Sequence, residues 1–182
     1  MMDIIRPIFS YGDLAQMPDD GKRYEVVEGD LAVSPSPNRK HQNVIRRLSA
    51  FFISVEEHHH GQWYPAPFDV VLDDYNVVQP DLLFIGRDRL GIVRETDVQG
   101  APDLVVEVLS TSTRERDLGV KGHLYARFGV REYWVIDPDN QNVSVYRLTA
   151  DGFEVHGRYH AGDQVTSPLF PDHPLSVETL FR

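Results

Sequence analysis

The sequence contains no cysteine, which excludes disulfide bonds, cysteine nucleophiles and cysteine metal ligands. It has no apolar run near the roughly 20 residues that a membrane-spanning helix needs. The opening segment MMDIIRPIFS lacks the basic region and apolar core of a secretion signal. We therefore expect a cytoplasmic protein with no membrane association. The glycine-rich phosphate loop, the G-x-S-x-G serine motif and the H-E-x-x-H zinc motif are also absent.

Basic residues are fewer than acidic ones, 18 against 28, and the formal net charge is −10. This balance disfavours broad, non-specific wrapping of nucleic acid, although it allows a local basic groove. Carboxylates, imidazoles and backbone carbonyls are the available metal ligands, and carboxylates favour Mg²⁺ or Mn²⁺. With 182 residues, of which 41% are hydrophobic, the chain is expected to form a single domain over residues 1–182.

Hydrophobic periodicity and turn residues predict an alternation of strands and helices. In chain order the predicted elements are a short helix (Ser10–Met17), a β-hairpin (Lys22–Ser34), a long helix (Asn38–His59, ended by His60 and Gly61), three strands (Trp63–Asp73, Val77–Ile85, Asp103–Ser110), a second helix (Ser112–Phe128, with Ser112 as its cap) and three strands (Glu132–Asp137, Val143–Leu148, Phe153–Tyr159). This order predicts an α/β (α+β) fold: one mixed sheet flanked by helices, with an N-terminal β-hairpin.

Glu107 is a charged residue in an otherwise apolar strand, LVVEVL. Side-chain alternation places Val105, Glu107 and Leu109 on one face of that strand. A buried carboxylate is costly unless it is paired, hydrogen-bonded or bound to a metal. The residue is therefore either a metal ligand or half of a structural ion pair.

Asp81 is a second carboxylate in an apolar strand, within VVQPDLLFI. Pro80 removes a hydrogen-bond donor from the ladder, which indicates an edge, a bulge or a strand start beside Asp81. Alone, Asp81 fits an ordinary turn residue before a strand. Together with Glu107 it supplies the two carboxylates expected of a Mg²⁺ site, so we predict that Asp81 and Glu107 are the metal ligands.

Lys121 lies on the apolar face of the second helix. At ~100° per residue, that face collects Arg114, Asp117, Leu118, Lys121, Leu124, Tyr125 and Phe128. Lys121 could simply pair with Asp117 one turn away, or lay its stem over apolar surface. Since the strand of Glu107 runs directly into this helix, the ammonium could instead stabilise charge on a phosphate near a metal-bound water.

Two further residues are accessory candidates. His41 falls on the apolar face of the long helix, near its start, and is either a core histidine or a proton shuttle. Glu25 lies in the hairpin, where it is either solvent-exposed or an extra acidic ligand. A basic cluster away from the apolar face is either a solvated surface or a contact for phosphates. Its members are Arg39, Lys40, Arg46 and Arg47.

Several segments resemble the Uma-type family of restriction endonucleases, within the PD-(D/E)XK nuclease superfamily. They are RYEVVEGDLAVSPSPNRKHQ, VVQPDLLFI, GAPDLVVEVLSTSTRERDLGVKGHLYARFGVREYWVIDP and VSVYRL. The resemblance covers about Tyr11 to Leu148. It implies a restriction-endonuclease-like core and Mg²⁺-dependent hydrolysis of phosphodiester bonds.

The resemblance also assigns residues. Asp81 matches the Asp of the PD element, and Glu107 matches the acidic residue of the (D/E)XK element. Leu109 stands where that motif carries its lysine, so Lys121 is similar to the migrated lysine of variant members. Glu25 and His41 lie in segments that follow the family's pattern. Nucleic acid, most simply DNA, is the implied partner, and a homodimer is plausible because cutting a duplex often needs two centres.

Two other interpretations remain open at this stage. The chain could be a catalytically silent nucleic-acid-binding or assembly domain that keeps the fold. It could also be a structural protein in which Asp81, Glu107 and Lys121 form a buried ion network. Metal binding separates the nuclease from the structural protein, and turnover on DNA separates it from the silent domain.

Overall fold

The computed structural model describes residues 7–59, 61–110 and 114–182. The helices within these ranges are α1 (Tyr11–Leu14), α2 (Arg39–His59), α3 (Arg114–Arg116), α4 (Gly122–Phe128) and α5 (Val177–Phe181), with a 3₁₀ segment at Arg87–Ile92 and a π turn at Asp117–Lys121. The strands are β1 (Arg23–Val27), β2 (Asp30–Ser34), β3 (Gln62–Pro65), β4 (Asp69–Asp73), β5 (Asn76–Val78), β6 (Leu82–Ile85), β7 (Asp97–Gln99), β8 (Leu104–Val108), β9 (Glu132–Asp137), β10 (Asn142–Thr149), β11 (Gly152–Tyr159), β12 (Gln164–Val165) and β13 (Leu175–Ser176). None of these helices has both the length and the apolar character required to cross a bilayer.

The strands form two mixed sheets and a small two-stranded one. The first has the order β2-β1-β5-β4-β7, and the second has the order β11-β10-β9-β8-β6-β3. Strands β4 and β7 pair in parallel, as do β8 and β9, whereas their other neighbours run antiparallel. The predicted mixed α+β fold with an N-terminal hairpin is confirmed, but the prediction of one sheet was wrong.

Two predicted strands are each divided between the sheets. The segment Trp63–Asp73 becomes β3 and β4, and the segment Val77–Ile85 becomes β5 and β6. Pro67 and Pro80 lie in the two breaks, where a missing backbone N–H ends the ladder. Each break is only three residues long and has apolar residues on both sides, which is why the sequence read as continuous strands. Asp81 therefore lies in a break immediately before β6 rather than inside a strand.

The six-stranded sheet buries both of its faces. One face packs on α2 through a cluster that includes Leu48, Phe52, Val106 and Trp134. The opposite face packs on the five-stranded sheet and α4 through a second cluster. That cluster includes Val70, Val78, Val105, Leu124, Tyr125 and Val135. Val105 and Val106 thus point to opposite faces as the alternation predicts, and Glu107 shares the side of Val105, toward α4.

The second predicted helix is interrupted by the π turn, in which hydrogen bonds run from residue i to i+5. The wider turn changes the helical phase, so Leu118 is 48% exposed, whereas Asp117 and Lys121 are buried. The prediction that Leu118 shares one helix face with Asp117 and Lys121 was therefore wrong. Gly129 ends the helix with φ 88°, as expected of a C-terminal glycine. Ser112 and His60, the predicted cap and stop, lie outside the described residues.

Candidate active site

A cavity of about 240 Å³ lies where the two sheets meet the π turn and the start of α2. All five residues predicted for the site line it: Glu25, His41, Asp81, Glu107 and Lys121. They come from β1, α2, the break before β6, β8 and the π turn respectively. The fold therefore brings together side chains that are spread over nearly 100 positions of the sequence.

Asp81 receives hydrogen bonds on both carboxylate oxygens. Arg23 donates to Oδ1 at 2.7 Å, while His41 Nε2 and the backbone N–H of Val108 each reach Oδ2 at 2.9 Å. Burial alone would raise the pKa of Asp81, but the hydrogen bond and charge of His41, with the charge of Arg23, lower it to about 2. Asp81 is therefore a firmly ionised carboxylate.

Glu107 is held on one oxygen. Its Oε1 lies 2.5 Å from Lys121 Nζ and accepts a hydrogen bond from the Tyr125 hydroxyl at 2.7 Å. Within the described ranges no group donates a hydrogen bond to Oε2. Burial raises the pKa of Glu107 to about 8; Lys121 opposes this shift, and the nearby carboxylates of Asp117 and Asp81 add to it.

Lys121 is buried among carboxylates. Its ammonium lies 2.9 Å from Glu25 Oε1, closer than the 3.9 Å to Asp117 Oδ1. Burial alone would lower the pKa of Lys121, but the charges of Glu107, Glu25 and Asp117 outweigh it and raise the pKa above its usual value. The simple helical pair with Asp117 is thus a secondary contact, and the main partners lie on other elements.

Glu25 is buried rather than solvent-exposed. Besides Lys121, it accepts a hydrogen bond from the backbone N–H of Gln79 at 2.8 Å and lies 3.1 Å from the Arg116 guanidinium. Burial would raise the pKa of Glu25, but the charges of Lys121 and Arg116 lower it below its usual value. Glu25 is therefore the residue that links the hairpin to the π turn.

Sequence reasoning missed Arg23, Arg116 and Tyr125 as members of this cluster. A signal existed for Arg23, since it lies two residues before Glu25 on β1 and so shares its face. Tyr125 was placed on the correct helix face without a partner. Arg116 carried no periodic signal, because the π turn that follows it alters the spacing on which a helical wheel depends.

The cluster carries more acidic than basic groups. Four buried carboxylates (Glu25, Asp81, Glu107, Asp117) lie among three cations (Arg23, Arg116, Lys121), so the carboxylates outnumber these cations by one. No group of three His, Asp or Glu side chains in the described ranges is arranged to hold a metal. Mg²⁺ nevertheless binds commonly through one or two carboxylates and several waters. The surplus carboxylate and the Glu107 Oε2 without a donor fit such an ion.

The predicted basic cluster on α2 is partly committed to protein contacts. Lys40 pairs with Asp139 at 2.6 Å, and Arg47 donates to the backbone carbonyl of Arg182 at 2.9 Å. Arg39 and Arg46 are exposed.

Two mixed sheets flanked by helices, with acidic residues and a lysine gathered in one cavity, place the chain in the restriction-endonuclease-like fold class. The profile of the Uma2 family, described as "Putative restriction endonuclease", matches residues 11–178. The chain belongs to this family.

Two individual proteins are similar to the chain. A crystal structure from Anabaena variabilis ATCC 29413, described as "a putative nuclease belonging to DUF820", superposes with a TM-score of 0.78 over 95% of this chain and 97% of that one. The identity is 22%, so this likeness shows a shared fold. A protein of Trichormus variabilis, one of the subunits of its glutamyl-tRNA(Gln) amidotransferase, is 28% identical over 104 residues, 54% of this chain. The match spans 21% of the length of that relative.

Proposed function

We propose that the chain is a Mg²⁺-dependent endonuclease that hydrolyses phosphodiester bonds in DNA, with the 240 Å³ cavity as its reaction centre. The convergence of Asp81, Glu107 and Lys121 in that cavity is the observation that carries the proposal. Carboxylates from two different strand ends beside a buried ammonium form a costly arrangement, and it occurs in a chain of a nuclease family.

Asp81 and Glu107 are the residues that would hold Mg²⁺ or Mn²⁺. When bound at such a site, a divalent ion lowers the pKa of a coordinated water and polarises the phosphate. Asp81 is already ionised, whereas Glu107 must release a proton, since its pKa is raised to about 8. Metal binding at this site therefore requires the ionised form of Glu107.

Lys121 would supply positive charge to the phosphate during hydrolysis. Its ammonium lines the cavity and is fixed by Glu25 and Glu107, so it needs little rearrangement to meet charge that develops there. Glu25 acts on Lys121 and is a positioning residue. His41 acts on Asp81, because its ring orients the carboxylate through Oδ2.

One observation favours a rival, the structural protein in which Asp81, Glu107 and Lys121 form a buried ion network. Both oxygens of Asp81 and one oxygen of Glu107 already have protein partners, as in a buried structural ion network. In that case the carboxylates stabilise the fold and do not bind a metal. The two functions differ in whether Mn²⁺ binds and whether DNA is cut.

The proposal is tested by incubating supercoiled plasmid with the protein and Mg²⁺. We expect nicked or linear product with the wild-type chain and none with Asp81→Asn or Glu107→Gln. Linear product formed without a nicked intermediate would support two cooperating copies. An RNA of matched length tests the preference for DNA.

A matched control for these variants is Glu132→Gln. Glu132 is also a buried carboxylate, but it binds Trp134 and Ser167 outside the cavity. It should cut plasmid as the wild type does once its folding is verified. Plasmid that remains supercoiled with wild-type protein in Mg²⁺ and in Mn²⁺ would refute the proposed function.

A further inference from the structure

Arg23 stands at the junction of two cavities. It lines the 240 Å³ cavity and also a neighbouring one of about 330 Å³. His41 and Asp81 are shared between the two in the same way. The second cavity lies beside the segment before α2 and the turn after β3, and the lining that it does not share with the first includes Lys22, Gln42, Ile45 and Pro67. The Arg23 side chain therefore borders both cavities.

The Arg23 guanidinium lies beside a predicted metal-ligand oxygen. It donates to Asp81 Oδ1 at 2.7 Å, while Oδ2 is taken by His41 and the backbone of Val108. A divalent ion that used Oδ1 would compete with the guanidinium, because two cations at one carboxylate oxygen repel each other. The Arg23 side chain is 22% exposed, whereas that of Lys121 is 2% exposed. Of these two cations, Arg23 is therefore the one whose charged group can move toward solvent.

The formal charges indicate what the displaced guanidinium would meet. The four carboxylates outnumber the cations Arg23, Arg116 and Lys121 by one, so a divalent ion leaves the cluster with at least one net positive charge whether or not His41 is protonated. One phosphodiester carries a single negative charge and offsets one of these positive charges. A guanidinium at the edge of the recess is also suited to phosphate, since its planar fork matches two phosphate oxygens.

We infer that Arg23 is a phosphate-binding residue that holds Asp81 in the metal-free protein and transfers to a backbone phosphate of the nucleic acid when the metal binds. This inference rests on the proposed function, because it requires the metal at Asp81. It adds a residue that the sequence did not single out. It also makes metal and nucleic acid cooperative, since each favours the released position of Arg23.

The test measures two binding constants in Arg23→Gln. Calorimetric titration with Mn²⁺ should show tighter metal binding than wild type by severalfold, because the competing cation is gone. Fluorescence anisotropy with a labelled phosphorothioate DNA duplex in Mn²⁺ should show affinity weaker by about tenfold or more, the usual effect of losing one charge-assisted contact. Arg23→Lys keeps the charge but not the planar fork, so its affinity for the duplex should lie between those of the wild type and Arg23→Gln.

The matched control is Arg89→Gln. Arg89 also pairs with a buried aspartate, Asp103, at 2.8 Å, and it lies outside both cavities. Its substitution reports what the loss of an arginine–aspartate pair does to stability alone, and both affinities should remain at the wild-type values.

Opposite changes in the two affinities of Arg23→Gln support the inference. Unchanged duplex affinity, or Mn²⁺ binding that weakens, would overturn it and leave the metal-dependent function standing if the wild type binds Mn²⁺. A wild-type chain that binds no Mn²⁺ would overturn the proposed function and this inference together.

Discussion

The Lys121 ammonium donates to Glu25 Oε1 at 2.9 Å, although the two residues are 96 positions apart in the sequence. This contact joins β1 of the five-stranded sheet to the π turn, and the neighbouring contact with Glu107 extends it to the six-stranded sheet. Ion pairs at the site therefore connect the two sheets and the π turn. The charges of the site contribute to stability as well as to any chemistry.

Replacing Lys121 by Met should reduce stability far more than the same substitution at an exposed lysine would. The substitution leaves Glu25 and Glu107 without their shared ammonium in a buried setting, and breaking one partner of such a cluster costs about 3–5 kcal/mol. Chemical denaturation at neutral pH measures this loss. We expect cleavage to fall by about 10²–10³-fold under conditions where the variant is folded.

A control on the same helical segment is Arg127→Met. Arg127 forms an exposed pair with Glu28, and both side chains are more than half exposed. Its loss should change stability little, since exposed pairs contribute little. Wild-type cleavage by folded Lys121→Met would show that the ammonium is structural only.

Glu107 should make the metal-free protein less stable as the pH rises. Its pKa is raised from 4.5 to about 8 by burial, so between these values the folded chain retains a proton that the unfolded chain has lost. The stabilising contribution is complete below about pH 4.5 and is lost as the pH rises through about 8. Glu107→Gln imitates the protonated form. Urea titrations across this range should therefore show a flatter pH dependence for the variant than for the wild type, and equal slopes would contradict the shift.

His41 should keep the pKa of Asp81 low. Burial raises the pKa of Asp81, but His41, as the strongest opposing partner, helps to lower it to about 2. The ionised Asp81 therefore stabilises the folded chain above about pH 3.8, and this stabilisation is lost as the pH falls through about 2. In His41→Leu the Asp81 pKa should rise, and stability at neutral pH should fall by about 1–3 kcal/mol, the cost of an unmade buried hydrogen bond.

His41→Gln provides the comparison for that variant, because its amide can still donate to Oδ2. We expect an intermediate Asp81 pKa. Carboxyl ¹³C NMR titration measures it directly, and an Asp81 titration that is the same in His41→Leu and wild type would remove His41 from this role.

The basic face of α2 should contribute unequally to nucleic-acid binding. Lys40 and Arg47 already have protein partners, whereas Arg39 and Arg46 are exposed. Each phosphate contact that is lost reduces the slope of log affinity against log salt by about 0.9. Arg39→Gln with Arg46→Gln should therefore flatten the slope for a DNA duplex more than Lys40→Gln with Arg47→Gln. Equal slopes in both double variants and wild type would indicate a solvated face.

The sequence predicted most of the elements, because their patterns are local. An apolar run identified β8, turn residues delimited β9 to β11, and the helical period identified α2 with its buried Leu48 and Phe52. The division into two sheets was not predictable in the same way. The chain passes from one sheet to the other at Pro67 and at Pro80, in breaks of three residues between apolar segments. Which sheet a strand joins depends on contacts far along the chain.

The candidate site was predictable where a residue conflicts with its surroundings. Glu107 in an apolar strand and Lys121 on an apolar helix face are costly unless they have partners, so each indicates a site without any knowledge of the fold. Arg116 and Arg23 are ordinary residues at the sequence level, and only the fold brings them beside Glu25 and Asp81. The π turn that places Lys121 was also beyond a pattern based on a regular helix.

Binding of a divalent metal by Asp81 and Glu107 is tested most directly by crystals soaked in Mn²⁺. An anomalous difference map should show a peak in contact with both carboxylates, with Glu107 using Oε2 and Asp81 released from Arg23. The same soak of Glu107→Gln crystals should show a weaker peak or none. A map without a peak in the cavity, with the Arg23–Asp81 and Lys121–Glu107 pairs intact, would contradict the account and identify the cluster as a structural ion network.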